Sequence, residues 1–398
     1  MGSWARERAQ DRIAALARQG YDLVTFWREV AEAIAPAVPF YLTPCFYTVD
    51  PASLLVTSHY HDGLPEIPHD WLAVEYYEED FNKLSEVARS RRGVATLHDA
   101  TGGEPSRSTK YREVMAPFGS EQEALAGLRT ASGESWGVLG LYREPGQPRF
   151  SAEELAFLLA ISADLAEGAR RGLLIGEATD PDAPEAPGLL VLNDRWEVES
   201  LTPGVERWLA ELPDGDWEAR GQLPSVVLSV AGRALRTVDD EDTAGQVAFA
   251  RVLSLAGRWI VLHGAPMVSQ ARRRIAVIVE PAHPARITPL LMAAYGLTER
   301  EQEVTRLVLQ GESTAQISEL LTLSPHTMQQ HLKRIFDKTQ VRSRRELVGK
   351  VFFAHYEPRL RDNEQRAIAG QPLRGGPAVP RVPGQPSRRI SRCSAADR

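Results

Sequence analysis

Residues 297–353 read LTEREQEVTRLVLQGESTAQISELLTLSPHTMQQHLKRIFDKTQVRSRRELVGKVFF, and this stretch decides the C-terminal fold. Thr298 stands three residues before Glu301, the spacing of a capping box, which satisfies two backbone N–H groups at a helix start. Val304, Leu307 and Val308 recur on one side of the helix that follows, and Gly311 ends it. Thr314 to Leu321 reads as a short second helix with Ile317, Leu320 and Leu321 facing inward. The LTLS run is a tight connection. Ser324 then caps a third helix, and Pro325 occupies its first position, where a missing N–H costs little. Met328, Leu332, Ile335 and Phe336 make the inner face of that helix. Thr327, Gln329, Gln330, Lys333 and Arg334 are left outside.

A short helix, a turn and a capped second helix with a polar, basic outer face is the geometry that lays a helix in the major groove of duplex DNA. Glutamine pairs with adenine N6 and N7, and arginine or lysine with guanine or phosphate. The charge is local: seven Lys or Arg between Lys333 and Lys350 stand against Asp337 and Glu346. Such an asymmetry turns one face toward phosphates. The plainer reading is a small helical bundle that packs on its own chain.

The same residues resemble the LuxR/GerE family of helix-turn-helix domains. The resemblance is carried by LTEREQEV, the Gly311 break, Ile317-Ser318, LSPHT, His331-Leu332, Lys338, and Val341-Arg342-Ser343-Arg344 with Glu346-Leu347 after it. It implies an all-α, four-helix DNA-binding domain over 287–354, with Gln329, Gln330 and Lys333 touching the major groove. Ser324, His326, Thr327, Arg334, Lys338, Arg342 and Arg344 complete the expected DNA-facing set. Met328 stands where the family usually has Val, and Thr339 where it has Leu. Gln329, Gln330 and Gln340 also depart from the common residues, so the family does not supply the target sequence.

Outward from this segment the chain is ordinary in composition. It has 398 residues, a formal net charge of -7 and 43% hydrophobic residues, which predicts a multidomain, globular protein. Two cysteines, Cys45 and Cys393, with no C-x-x-C, point to a reducing cytoplasm. No apolar run is long enough to span a membrane, and the N-terminus has no signal core.

Residues 1–20 read as an N-terminal helix and 21–174 as an α+β domain. The latter begins with a helix at 22–35 that Pro36 and Pro39 stop, followed by two strands around Asp50-Pro51. Trp71, Val74, Tyr77, Phe81, Leu84 and Val87 recur every three or four positions, so 69–92 reads as one helix. GVATL is a strand, TGGEPSRST a loop, and the run from Glu123 to Glu144 a hairpin turning at Ser132-Gly133-Glu134. Ser151 and Glu154 form a capping box for a helix running to about 174. The Pro- and Asp-rich stretch 175–186 is a linker.

A smaller α+β domain over 187–283 has a hairpin at Asn193-Asp194, a helix at 203–211, and strands at 245–254, 258–264 and 274–280. No element is assigned between 212 and 244. PAHPAR at 281–286 reads as a short, semi-rigid connection. Residues 358–398, with nine Arg against three acids from Arg359 onward, read as a disordered basic tail. No internal repeat is evident.

SWGVLGLYRE followed by FSAEELAFL, with the order of elements, makes 21–174 resemble a GAF domain. Residues 187–283 resemble a PAS domain more distantly. The order GAF, PAS, helix-turn-helix is similar to that of bacterial one-component regulators. It implies sequence-specific DNA binding as a homodimer, gated by a small molecule or a partner at the N-terminal region. Competing classes are a signalling adaptor whose helix-turn-helix serves dimerisation, and a GAF-fold enzyme. Against an enzyme, the sequence shows no nucleophile elbow, H-E-x-x-H or paired-carboxylate motif, and no cofactor is implied.

Several residues carry more than one reading. His59, His61 and Asp62, with His69 or His98, suit either a metal or exposed loops. Cys45 is a redox group, a haem ligand or a small buried residue. Gly102, Gly103 and Arg107 suit an anion or an ordinary surface loop. Trp71, Trp136 and Trp208 line a pocket or fill cores. The helix near 343–354, with Leu347, Val351 and Phe352, is a dimer interface or packs within its own monomer.

Overall fold

The computed structural model describes residues 3–62, 70–174, 187–214, 217, 221–239, 248–268, 273–282 and 284–348. The 175–186 stretch, His69, Val351, Phe352, Cys393 and the 358–398 tail lie outside the described residues.

Helices α1 (Ser3–Leu16) and α2 (Leu23–Ile34) open the chain. Asp22 caps α2 by accepting from the Thr25 backbone N–H at 3.0 Å. Strands β1 (Cys45–Val49), β2 (Val56–Tyr60), β3 (Val94–Thr96), β4 (Gln122–Arg129) and β5 (Ser135–Arg143) form an antiparallel sheet in the order β2-β1-β5-β4-β3. Helix α6 (Ala152–Gly172) follows, after short helices α3 (Trp71–Tyr77), α4 (Leu84–Arg89) and α5 (Leu97–Ala100). The Ser151–Glu154 capping box opens α6 as expected. Ile13, Phe26, Trp27, Ile161 and Leu165 bury one face of the sheet, against Phe46, Leu139 and Leu141.

The single helix expected over 69–92 is broken into α3 and α4. Glu78 is extended and Asn82 is left-handed at φ 54°. The break is held by carboxylates that periodicity does not reveal. Asp80 accepts from Phe81 N, Ser108 Oγ and Lys110 N at 2.7–2.9 Å, and Glu75 accepts from Leu84 N at 2.5 Å.

The second unit repeats the topology. Strands β6 (Gly188–Leu192), β7 (Val198–Leu201), β8 (Phe249–Leu253), β9 (Trp259–Val268) and β10 (Arg273–Pro281) pair in the order β7-β6-β10-β9-β8. In both sheets the sequence along the edge is second, first, fifth, fourth, third, a likeness invisible as a sequence repeat. Ile275, Val277 and Val279 are buried on alternate positions of β10, the period-two pattern of a sheet covered on one face.

Helix α7 (Val205–Ala210) matches expectation, with Val205, Trp208 and Leu209 buried. Helix α8 (Ser225–Asp239) falls where the sequence reading has nothing. Its Val227, Val230 and Ala234 share one continuous core with Leu262 and Val277 of the second sheet and Leu72 and Ala73 of α3. Gly232 lets α8 cross α3 closely, since a Cβ there would run into the Ala73 backbone carbonyl. The two α+β units therefore share a core.

The last three residues of the proline-rich connection, 284–286, are helical. Pro281 ends β10, and α9 (Pro284–Ala294) begins at Pro284. Its residues go to three places. Ile287 and Leu291 pack with Val261 and Ala282 of the second unit. Leu290, Ala293 and Ala294 join the core of α1, α2 and α6. Met292 enters the C-terminal core. Arg170 of α6 donates to the Ala293 carbonyl at 3.1 Å, and that carbonyl also accepts from Gly296 N at 2.8 Å, so the end of α9 is fastened to α6.

Candidate nucleic-acid interface

The C-terminal unit contains α10 (Glu299–Leu309), α11 (Thr314–Leu320) and α12 (Pro325–Thr339), followed among the described residues by a helical stretch at 344–348. Each of α10, α11 and α12 is started by its own side-chain cap. Thr298 and Glu301 form the expected capping box on α10. Ser313 and Gln316 form another on α11, an S-x-x-Q capping signal present in the sequence. Ser324 caps α12 by accepting from Thr327 N at 3.1 Å. Gly311 is left-handed at φ 93° and terminates α10.

Val304, Val308, Ile317, Met328, Leu332 and Ile335 form the core, closed from one side by Met292 and Leu297 and from the other by Val341 and Leu347. Leu307, Leu321 and Phe336 are partly buried against it. Leu320, expected inside, is 61% exposed. The short α11 inserts only Ile317 deeply, and Leu320 falls on its outer side. Residues 344–348 are helical, and Leu347 is taken into the monomer's own core, which accounts for that side chain without a second copy.

Burying Met328, Leu332 and Ile335 turns the other side of α12 to solvent. His326, Gln329, Gln330, Lys333 and Arg334 are all exposed, as is Arg342 just beyond the helix. His326 and Gln330, one turn apart, join at 2.9 Å between Nε2 atoms. Thr327 is half-buried, and its hydroxyl lies 2.8 Å from Ser324 Oγ.

Two members of the expected set have structural partners. Lys338 Nζ bonds Glu301 Oε2 at 2.6 Å, tying the end of α12 to the start of α10. Burial raises the Glu301 carboxyl, but bonds from Lys338 and Thr298 outweigh it and hold the group below its usual range. Arg344 donates to the Glu312 carbonyl and fastens the 344–348 turn to the loop after α10. Both contacts join residues more than thirty apart in sequence, so neither was legible there.

Residues 296–351 match the profile of the GerE family, described as "Bacterial regulatory proteins, luxR family". The C-terminal unit is a LuxR-type helix-turn-helix. None of the curated proteins matches the chain. Among solved structures, the VqsR LBD domain from Pseudomonas aeruginosa is similar at 18% identity and TM-score 0.29, covering 44% of this chain and 98% of that one. The phage VqmA–DPO complex is similar at 14% identity and TM-score 0.21, covering 44% and 82%. The E. coli DhaR(N)–DhaL complex is similar at 12% identity and TM-score 0.21, covering 71% and 91%.

The other candidates resolve differently. Among the described residues, no group of three or more His, Cys, Asp or Glu gathers to hold a metal ion. Cys45 is buried, and burial pushes its thiol up to about 12, so it stays protonated and unreactive. Arg107 donates to the Thr101 carbonyl at 2.9 Å and lies over the Phe81 ring, fastening its own loop. Trp208 is buried in a core, Trp136 is buried and also borders a cavity, and Trp71 stands edge-on to Tyr47 and His59. Beneath Trp71 lies a cavity of about 40 Å³ bordered by Cys45, Tyr47, Lys110 and Tyr142, room for little more than water. Among the described residues, no helix is long and apolar enough to cross a membrane.

Proposed function

We propose that this chain is a transcription regulator that lays α12 in the major groove of duplex DNA and reads bases with its outer face. The observation that carries the reading is the division of α12 into a buried side and an exposed side bearing Gln329, Gln330, Lys333 and Arg334. Gln329 and Gln330 suit adenine edges; Lys333, Arg334 and Arg342 suit guanine or phosphate. The Ser324-capped N-terminus of α12 adds the positive end of a helix dipole for a phosphate. Lys338 and Arg344 serve this interface by holding the domain together.

The N-terminal residues regulate this binding. In this reading the first sheet and its helices are a GAF-like sensory unit, and the second sheet with α7 and α8 a PAS-like one. A ligand or partner shifts DNA affinity to the extent that it binds two states of the chain unequally. The small footprint of one helix-turn-helix favours a homodimer on paired half-sites. Selection from a randomised duplex pool, followed by mobility shifts at two salt concentrations, tests the reading. A single enriched motif with salt-sensitive affinity is expected. Equal binding to all duplexes, or none, would overturn it in favour of an adaptor role.

A further inference from the structure

A second, larger cavity of about 250 Å³ lies where the two sheets and α9 come together. Trp27 of α2, Thr48 of β1, His59 of β2, Trp136 of β5, Trp259 of β9 and Leu290 of α9 all border it. Its walls are mostly carbon, with three indoles among them. The volume falls just short of the roughly 300 Å³ at which sites for drug-sized ligands begin, which suits a bicyclic molecule.

The polar groups at its border are informative. The Thr48 hydroxyl is already engaged with Thr57 and Ser58, at 3.0 and 2.5 Å. Asp50 and Arg251, also at the border, neutralise each other at 2.6 Å. Trp136 is 0% exposed, and its indole Nε1 has no hydrogen-bond partner among the described residues. Nor do Trp259 Nε1 and His59 Nε2. A buried N–H without an acceptor is costly, so a ligand oxygen that reached the Trp136 N–H from the cavity would relieve that cost. Burial holds the His59 imidazole well below its usual range, leaving it uncharged and giving no reason to prefer an anion.

We propose that this junction cavity is an effector site for a small, neutral, flat aromatic molecule with a hydrogen-bond acceptor, which the Trp136 indole N–H meets. The coupling of this site to DNA rests on the regulator reading above; ligand binding itself does not. The route is physical. Leu290 borders the cavity, and Arg251 donates to the Arg286 carbonyl at 3.2 Å, both on α9. The same helix delivers Met292 to the helix-turn-helix core. Filling the cavity therefore changes how α9 is seated against the DNA-reading unit.

The test uses the full chain and three probes: coumarin, with a carbonyl acceptor; naphthalene, of similar size without one; and 2-naphthoate, which is charged. Calorimetry and tryptophan fluorescence should show saturable coumarin binding, one per chain. Naphthalene should bind about tenfold more weakly, as expected for one lost hydrogen bond, and 2-naphthoate more weakly again. Trp136→Phe should bring coumarin down to the naphthalene level. Leu290→Phe, or Leu253→Phe at another residue that lines the cavity, should abolish binding while circular dichroism shows the fold retained. Absence of saturable coumarin binding, or binding indifferent to all three substitutions, would overturn the site. Mobility shifts with and without coumarin then separate the two claims. Coumarin binding that leaves DNA affinity unchanged removes the coupling and keeps the site. Loss of all DNA recognition with coumarin binding intact removes the regulator reading alone.

Discussion

Arg251 grips Asp50 with a fork. Its Nε and backbone N–H both donate to Asp50 Oδ2 at 2.8 Å, and its Nη2 donates to Oδ1 at 2.6 Å. The two side chains are 8% and 0% exposed. Arg251 lies on β8 and Asp50 just after β1, so the pair crosses from one sheet to the other, and the same guanidinium reaches Arg286 of α9. One arginine thus ties together both α+β units and the helix leading to the C-terminal helix-turn-helix.

Breaking this pair should be costly. Asp50→Asn leaves a buried guanidinium without its counter-charge, for which a loss of about 3–5 kcal/mol is typical. Denaturant unfolding should show that loss, and Asp50→Leu with Arg251→Met should recover much of it. A loss below about 1 kcal/mol for the single variant, the level of a surface pair, would show the contact to be incidental.

On DNA, Gln329→Ala and Gln330→Ala should each lose about 1–3 kcal/mol of discrimination at one base pair. Competition binding with single-base variants of the selected motif measures this. Lys333→Ala, if its partner is phosphate, should weaken all sequences alike and reduce the salt slope by about one. Unchanged preference in both glutamine variants would remove α12 as the reading element.

A fragment beginning at Arg286 should recognise the same motif as the full chain but associate with itself. It carries Ile287, Leu290 and Leu291 stripped of the sheets that bury them. Replacing these three with Ser should restore a dispersed fragment with unchanged motif preference, as read by light scattering and competition binding. A dispersed unsubstituted fragment would show that α9 does not need its N-terminal partners.

The Glu301–Lys338 tie predicts acid sensitivity of the C-terminal unit. Glu301 titrates lower in the folded chain than the 4.5 of a free glutamate. Its contribution is therefore complete above pH 4.5 and is lost as pH falls through the lower, folded value. Glu301→Gln should flatten the melting temperature against pH below that point and lower it at neutral pH. An unchanged slope would assign the acid response to other groups.

Ser324→Ala tests whether the cap matters to the reading helix. A loss of about 1 kcal/mol in stability is expected from the missing cap. DNA affinity should fall as well, because the first turn of α12 frays.

The helix-turn-helix was legible in the sequence because its signals are short-range. Thr298 and Glu301, Ser324 and Pro325, and Gly311 each act on backbone groups within a few residues, and the apolar spacing of Met328, Leu332 and Ile335 settles which side of α12 turns inward. The strands were legible for the same reason, through alternation and polar turns. The tertiary structure decided what depends on distant partners. The β-branched Val226, Val227 and Val230 disguise α8, which is buried between a sheet and α3. Asp80 and Glu75 break the 69–92 helix by accepting from residues up to thirty positions away. Lys338 and Arg344 look free in the sequence and are tied across the domain. Asp50 and Arg251, 201 positions apart, give no local sign of each other. A cap or an apolar period is an interaction of a segment with itself, whereas an ion pair or a shared core exists only once the chain has brought its two halves together.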